Sequence, residues 1–131
     1  MPTLNVIVDK PAEGATGQRD VMLMFEDNGS LVPGKRMPSG ALEFAVPFDL
    51  VLDKAGQPRA SGKAVNRQGD GRRFVYLHWI GTSLNGRGTF GRMKIFFDQV
   101  PGFPGEAEQY TVRVRGSSEK GEPHFATAVV V

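Results

Sequence analysis

Residues 41–53 place Leu42, Phe44, Val46, Phe48, Leu50 and Leu52 at every second position. Side chains alternate faces along a strand, so this spacing builds one apolar face and one mostly polar face. Ala41, Glu43, Ala45, Pro47, Asp49, Val51 and Asp53 supply the second face. Wound into a helix, the six apolar residues would ring the cylinder and leave no side for water. Pro47 has no N–H to give to a ladder, which predicts an edge strand or a bulge in mid-run.

Shorter runs repeat the alternation: Leu4, Val6 and Val8; Val21, Leu23 and Phe25; Met93, Ile95 and Phe97; Tyr110, Val112 and Val114; Phe125, Thr127, Val129 and Val131. In 73–80, Val75, Leu77 and Trp79 oppose Phe74, Tyr76, His78 and Ile80, so both faces are apolar or aromatic. A strand of that kind belongs in the middle of a sheet, covered on both sides. Turn-forming clusters separate the runs, among them Asp27-Asn28-Gly29-Ser30, Gln68-Gly69-Asp70-Gly71 and Pro101-Gly102-Phe103-Pro104-Gly105. Asn28-Gly29 lacks two matched flanking runs and is not assigned to a tight hairpin. Glu106 to Gln109 has room for a single helical turn. No segment carries an i, i+3, i+4 apolar stripe over three turns, and the 17 Gly and 9 Pro suit many short connections. The expectation is one all-β domain over residues 1–131, an antiparallel β-sandwich or flattened β-barrel of about seven strands with little helix.

The chain has no cysteine, which excludes disulfides, thiolate metal sites and thiol nucleophiles. The first residues lack a basic n-region and a long apolar run, and no stretch approaches the roughly 20 apolar residues of a membrane helix. A cytoplasmic protein with no membrane association is expected. Net charge is +2. Between residues 67 and 94, however, Arg67, Arg72, Arg73, Arg87, Arg92 and Lys94 face only Asp70, a local excess able to attract an anion.

Catalytic patterns are missing. His78 and His124 are not at a metal-ligand spacing, and no metal or cofactor is expected. Asp49 and Asp53 read as solvated charge on the polar face of a strand, and Glu106 and Glu108 as turn charge. No serine lies in Gly-x-Ser-x-Gly. Gly86-Arg87-Gly88-Thr89-Phe90-Gly91 matches Gly-x-Gly-x-x-Gly, but a strand pattern follows where a helix would be needed, so it reads as a flexible loop.

Several segments together resemble a bacterial family of small domains of unknown function. They are Ile7-Val8-Asp9-Lys10-Pro11, Leu31-Val32-Pro33, Leu42-Glu43-Phe44-Ala45-Val46, Gln68-Gly69, Arg73-Phe74-Val75-Tyr76-Leu77-His78-Trp79, Arg92-Met93-Lys94, Arg115-Gly116 and Gly121-Glu122-Pro123-His124-Phe125-Ala126-Thr127. The Arg-Phe-Val-Tyr strand and the Gly-x-Pro-x-x-Ala-Thr ending are the most specific. The chain departs from the family pattern at Phe125, where a cysteine is expected, and over 101–108, where a helix is expected. The resemblance implies no activity and no catalytic residues.

By subtraction, the sequence favours a non-catalytic binding or interaction domain for a protein partner or small ligand. The expected contact surface is the loops 66–72 and 81–91, using Arg72, Arg73, Tyr76, His78, Arg87, Arg92 and Lys94. A pocket version places Phe74, Tyr76 and His78 in a barrel lumen. The alternative is nucleic-acid or polyanion binding through the basic 67–94 region, with Tyr76 as stacking platform. A further alternative is an enzyme using His78 or Asp49. The run 126–131 is apolar on both faces, so it is either a covered central strand, the favoured reading, or half of a homodimer interface.

Overall fold

The structure, a computed structural model, describes residues 1–8, 22–83, 86–118 and 126–130; of 22–23, 79–83, 86–91, 115–118 and 126–130 only the backbone is described. In chain order the strands are β1 (Thr3–Val8), β2 (Met22–Asp27), β3 (Ser30–Pro33), β4 (Lys35–Arg36), β5 (Leu42–Pro47), β6 (Asp49–Leu52), β7 (Pro58–Ser61), β8 (Asn66–Arg67), β9 (Arg73–Ser83), β10 (Gly86–Phe96), β11 (Gln109–Ser118) and β12 (Ala126–Val130). One 3-10 turn spans Phe97–Gln99. The first sheet has the order β12-β11-β1-β5-β4. The second has the order β10-β9-β2-β3, with β8 also pairing β9, and β6 and β7 form a separate two-stranded sheet. The sheets do not close into a barrel, so the fold is an all-β sandwich.

Its core is what the alternation dictates. Leu4, Val6 and Val8 of β1, Leu42, Phe44 and Val46 of β5, and Tyr110, Val112 and Val114 of β11 are buried on one sheet. Val75 and Leu77 of β9, Met93 and Ile95 of β10, and Phe25 of β2 are buried on the other. Phe25 meets Phe44 edge-on across the gap, with ring centroids 6.1 Å apart. Phe48, Phe97, Phe103 and Tyr110 close one end as an aromatic cluster.

Several expectations need correction. β1 runs parallel to β11, from Thr3 opposite Gln109 to Val8 opposite Val114, so the sandwich is not purely antiparallel. The 41–53 run is two strands. β5 ends at Pro47, opposite Thr3, and the Phe48 N–H donates to the Pro2 carbonyl. The chain then leaves the sandwich as the β6–β7 hairpin. Phe48 therefore stays in the core while Leu52, two steps of the alternation later, is 72% exposed. The Glu106–Gln109 stretch makes no helical turn; a 3-10 turn comes earlier, at Phe97–Gln99. Among the described residues β12 pairs only with β11, which puts 126–130 at the edge of the first sheet and not in its centre; its side chains lie outside the described residues.

Asn28-Gly29 does make a tight hairpin. Asp27 pairs with Ser30, and the two residues between them have φ of 51° and 85°. Positive φ at both positions is the twist that a two-residue connection between antiparallel strands requires. A Cβ at Gly29 would meet nothing within 4 Å, so replacement is opposed by backbone conformation alone. Gly29→Ala is expected to cost about 1–2 kcal/mol in urea unfolding, with an unchanged m-value. Gly34 is constrained differently. It is the only residue between β3 and β4, where the chain passes from one sheet to the other, and a Cβ there would lie 2.8 Å from the Phe44 ring.

Candidate functional site

The outer face of the second sheet gathers most of the expected site residues. Val75 and Leu77 point into the core, so the neighbouring Phe74, Tyr76 and His78 point away from it. They form a row, with Phe74 and Tyr76 edge-to-face at 4.8 Å and Tyr76 and His78 at 5.7 Å. The antiparallel register sets Phe96 beside Phe74, Lys94 beside Tyr76 and Arg92 beside His78. Each cation then leans over a ring. Arg72 lies 3.7 Å from the Phe96 centroid, Lys94 4.7 Å from that of Phe74, and Arg92 4.9 Å from that of Tyr76. The rings' negative faces hold the charges in place.

These cations differ in how far they are compensated. Arg72 donates from Nε and Nη2 to both oxygens of Asp98, at 2.6 and 2.9 Å. That side-chain bond holds the Asp98 carboxyl below its ordinary range and raises the guanidinium. Lys94 donates to Gln68 Oε1 at 3.0 Å, and Gln68 donates to Asp70. Asp70 also accepts the Arg72 backbone N–H, the main cause of its lowered pKa. Arg92 is exposed, and among the described residues no carboxylate pairs with it.

His78 is 7% exposed, and neither imidazole nitrogen makes a hydrogen bond. Glu26 Oε2 stands 3.5 Å from Nε2. Asp49 is exposed on β6, on another part of the molecule, so the two residues named for an enzyme are not brought together. Among the described residues no three His, Asp or Glu side chains gather as metal ligands, and no helix is long and apolar enough to cross a membrane.

Arg73 is not part of this face. It alternates with Phe74, and its Nη1 donates to the Ala60 carbonyl of β7 at 3.3 Å. The lumen expectation is also wrong. Phe74 is 3% exposed because Tyr76, Phe96 and Lys94 cover it from outside the sandwich, not because it lines an interior. Nor is 81–91 a loop. Residues 81–83 belong to β9 and 86–91 to β10, with a register shift between Thr89 and Gly91, so the backbone of Gly86-Arg87-Gly88 is engaged in a ladder. Arg87 pairs in register with Thr82, and its side chain lies outside the described residues. The expected 66–72 loop is a turn between β8 and β9, closed by hydrogen bonds from Gln68 N–H to Arg72 and from Gly71 N–H to Gln68.

Sequence reading missed Asp98, Gln68 and Phe96. Phe96 was recoverable, because it shares the outward parity of Lys94 and Arg92. Asp98 follows the strand in a 3-10 turn, where alternation carries no information. No curated protein and no solved structure matches this chain. Residues 3–131 match a family of unknown function (DUF5990), and the chain belongs to that family.

Proposed function

We propose that this protein is a non-catalytic recognition domain that binds an acidic protein partner through the outer face of its second sheet. The observation that carries this reading is the row of cations seated on rings, with Arg92 lacking a carboxylate among the described residues and Lys94 held by the Gln68 amide. A cation held by a ring has lost much of its rotamer freedom already, so an incoming carboxylate orders less on binding. The same geometry disfavours base stacking, because a nucleobase would have to displace Arg92 from Tyr76.

The test is titration of isotope-labelled protein with a glutamate-rich peptide and, separately, with oligo-dT. Peptide is expected to shift amides of 74–78 and 92–96. The double substitution Arg92→Ala with Lys94→Ala is expected to weaken binding about tenfold, and binding is expected to weaken with salt. Tighter binding of oligo-dT at the same amides would reassign the face to nucleic acid. Peptide affinity untouched by the double substitution would remove the face from consideration.

A further inference from the structure

A second basic site lies at another place in the fold, where the β6–β7 hairpin faces the start of β9. A cleft of about 580 Å³ opens there, lined by Leu52, Asp53, Lys54, Arg59, Arg67 and Arg73 among others. Four cations thus share it with one carboxylate. That carboxylate is already committed. Asp53 accepts the backbone N–H groups of Ala55 and Gln57, each at 2.9 Å, and pairs with Arg59 at 3.1 Å. The Gln57 bond first, then Arg59, holds its carboxyl below the ordinary range.

Lys54, Arg67 and Arg73 remain without a carboxylate among the described residues. Arg73 is partly buried, and its Nε is sealed from solvent with no hydrogen-bond partner. Partly buried charge is ordinarily paired, and a donor left unmet inside a protein is costly. Arg67 and Arg73 also stand directly opposite each other in the β8–β9 register. Like charges at opposed positions destabilise a strand pair. The fold therefore holds two arginines at opposed positions, with a third arginine and a lysine lining the same cleft. Arg73 Nη1 is met by the Ala60 carbonyl and Arg59 by Asp53, while Arg73 Nε has no partner. Guanidinium forks match the oxygens of a phosphate two at a time, and an added dianion would relieve the opposition. The cleft falls within the range of small-molecule sites, about 300–1,000 Å³, larger than a bare phosphate needs.

We infer that this cleft binds a phosphate-bearing small molecule, with Arg67 and Arg73 gripping the phosphate and Lys54 at the rim. The inference does not depend on the outer-face reading. The probe is inorganic pyrophosphate, with sodium chloride at matched ionic strength as control. Pyrophosphate is expected to raise the melting temperature beyond the salt control and to shift the Arg73 Nε–H resonance. Arg67→Gln combined with Lys54→Gln, both at exposed positions, is expected to weaken pyrophosphate about fivefold or more. Arg92→Ala with Lys94→Ala is expected to leave it unchanged. In phosphate-free buffer Arg67→Gln alone is expected to raise the melting temperature by about 1–2 °C, since it ends the cross-strand opposition. Equal stabilisation by sodium chloride, or equal pyrophosphate affinity in the Arg67/Lys54 double variant, would overturn the inference.

Discussion

Removal of residues 1–8 is expected to abolish folding. β1 lies between β5 and β11, pairing antiparallel with the first and parallel with the second. Without it, both neighbours lose a ladder, and among the described residues no other strand joins β11 to β5 in the first sheet. Leu4, Val6 and Val8 are fully buried. At about 1.5–3 kcal/mol for each such side chain, their loss is about 5–9 kcal/mol, comparable to the whole stability of a domain, about 5–15 kcal/mol. The truncated chain should show a collapsed amide spectrum and no cooperative thermal transition. A dispersed spectrum would mean that β5 and β11 can close the sheet on their own, and the central role assigned to β1 would fail.

Phe48→Ala is expected to cost about 3–5 kcal/mol in urea unfolding. Its ring is buried, with centroids 5.0 Å from Phe97, 5.9 Å from Phe103 and 6.0 Å from Tyr110. These partners come from a 3-10 turn, a loop and a strand, so they are not free to move together into the vacated volume. Leu52→Ala is the control. It removes a large aliphatic group from the same alternating run, but from an exposed position, and should change stability by no more than about 0.5 kcal/mol. A loss below about 1 kcal/mol for Phe48→Ala would show that the cluster repacks and is not the closure of this end of the core.

The contrast between Phe48 and Leu52 shows where sequence reading stops. Both sit on one unbroken alternation, which predicts one strand with both side chains on its buried face; Phe48 lies between β5 and β6 and is buried, whereas Leu52 is exposed. The alternation cannot say that the chain leaves the sandwich after Pro47, because a strand looks the same whether its apolar face meets a sheet or water. Asn28-Gly29 failed for the opposite reason. The turn chemistry was plain, but β3 is only four residues, Ser30–Pro33, and too short a run to be matched to β2. At the outer face, the aromatic row and its cations were legible as a set, since Arg72, Tyr76, His78, Arg92 and Lys94 were all named. What held them was not, because the Arg72–Asp98 pair and the Lys94–Gln68 contact each join residues 26 apart in the chain.

Much of the local order was written in the sequence alone: the long strands, the inward faces of β1, β5, β9, β10 and β11, and the positive stretch from 67 to 94. These depend on backbone geometry and on which side chains water rejects, and both act between neighbours along the chain. The short strands β3, β4, β7 and β8, which with the division of the 41–53 run bring the count from about seven to twelve, and the Asn28-Gly29 hairpin were not. Pairing was decided by the tertiary structure. The period-two pattern is identical for parallel and antiparallel neighbours, so nothing in residues 3–8 announces that residues 109–114 will run beside them in the same direction. The cleft against the β6–β7 hairpin and the aromatic cluster around Phe48 follow from that same packing. They exist only once strands distant in the chain have been laid side by side.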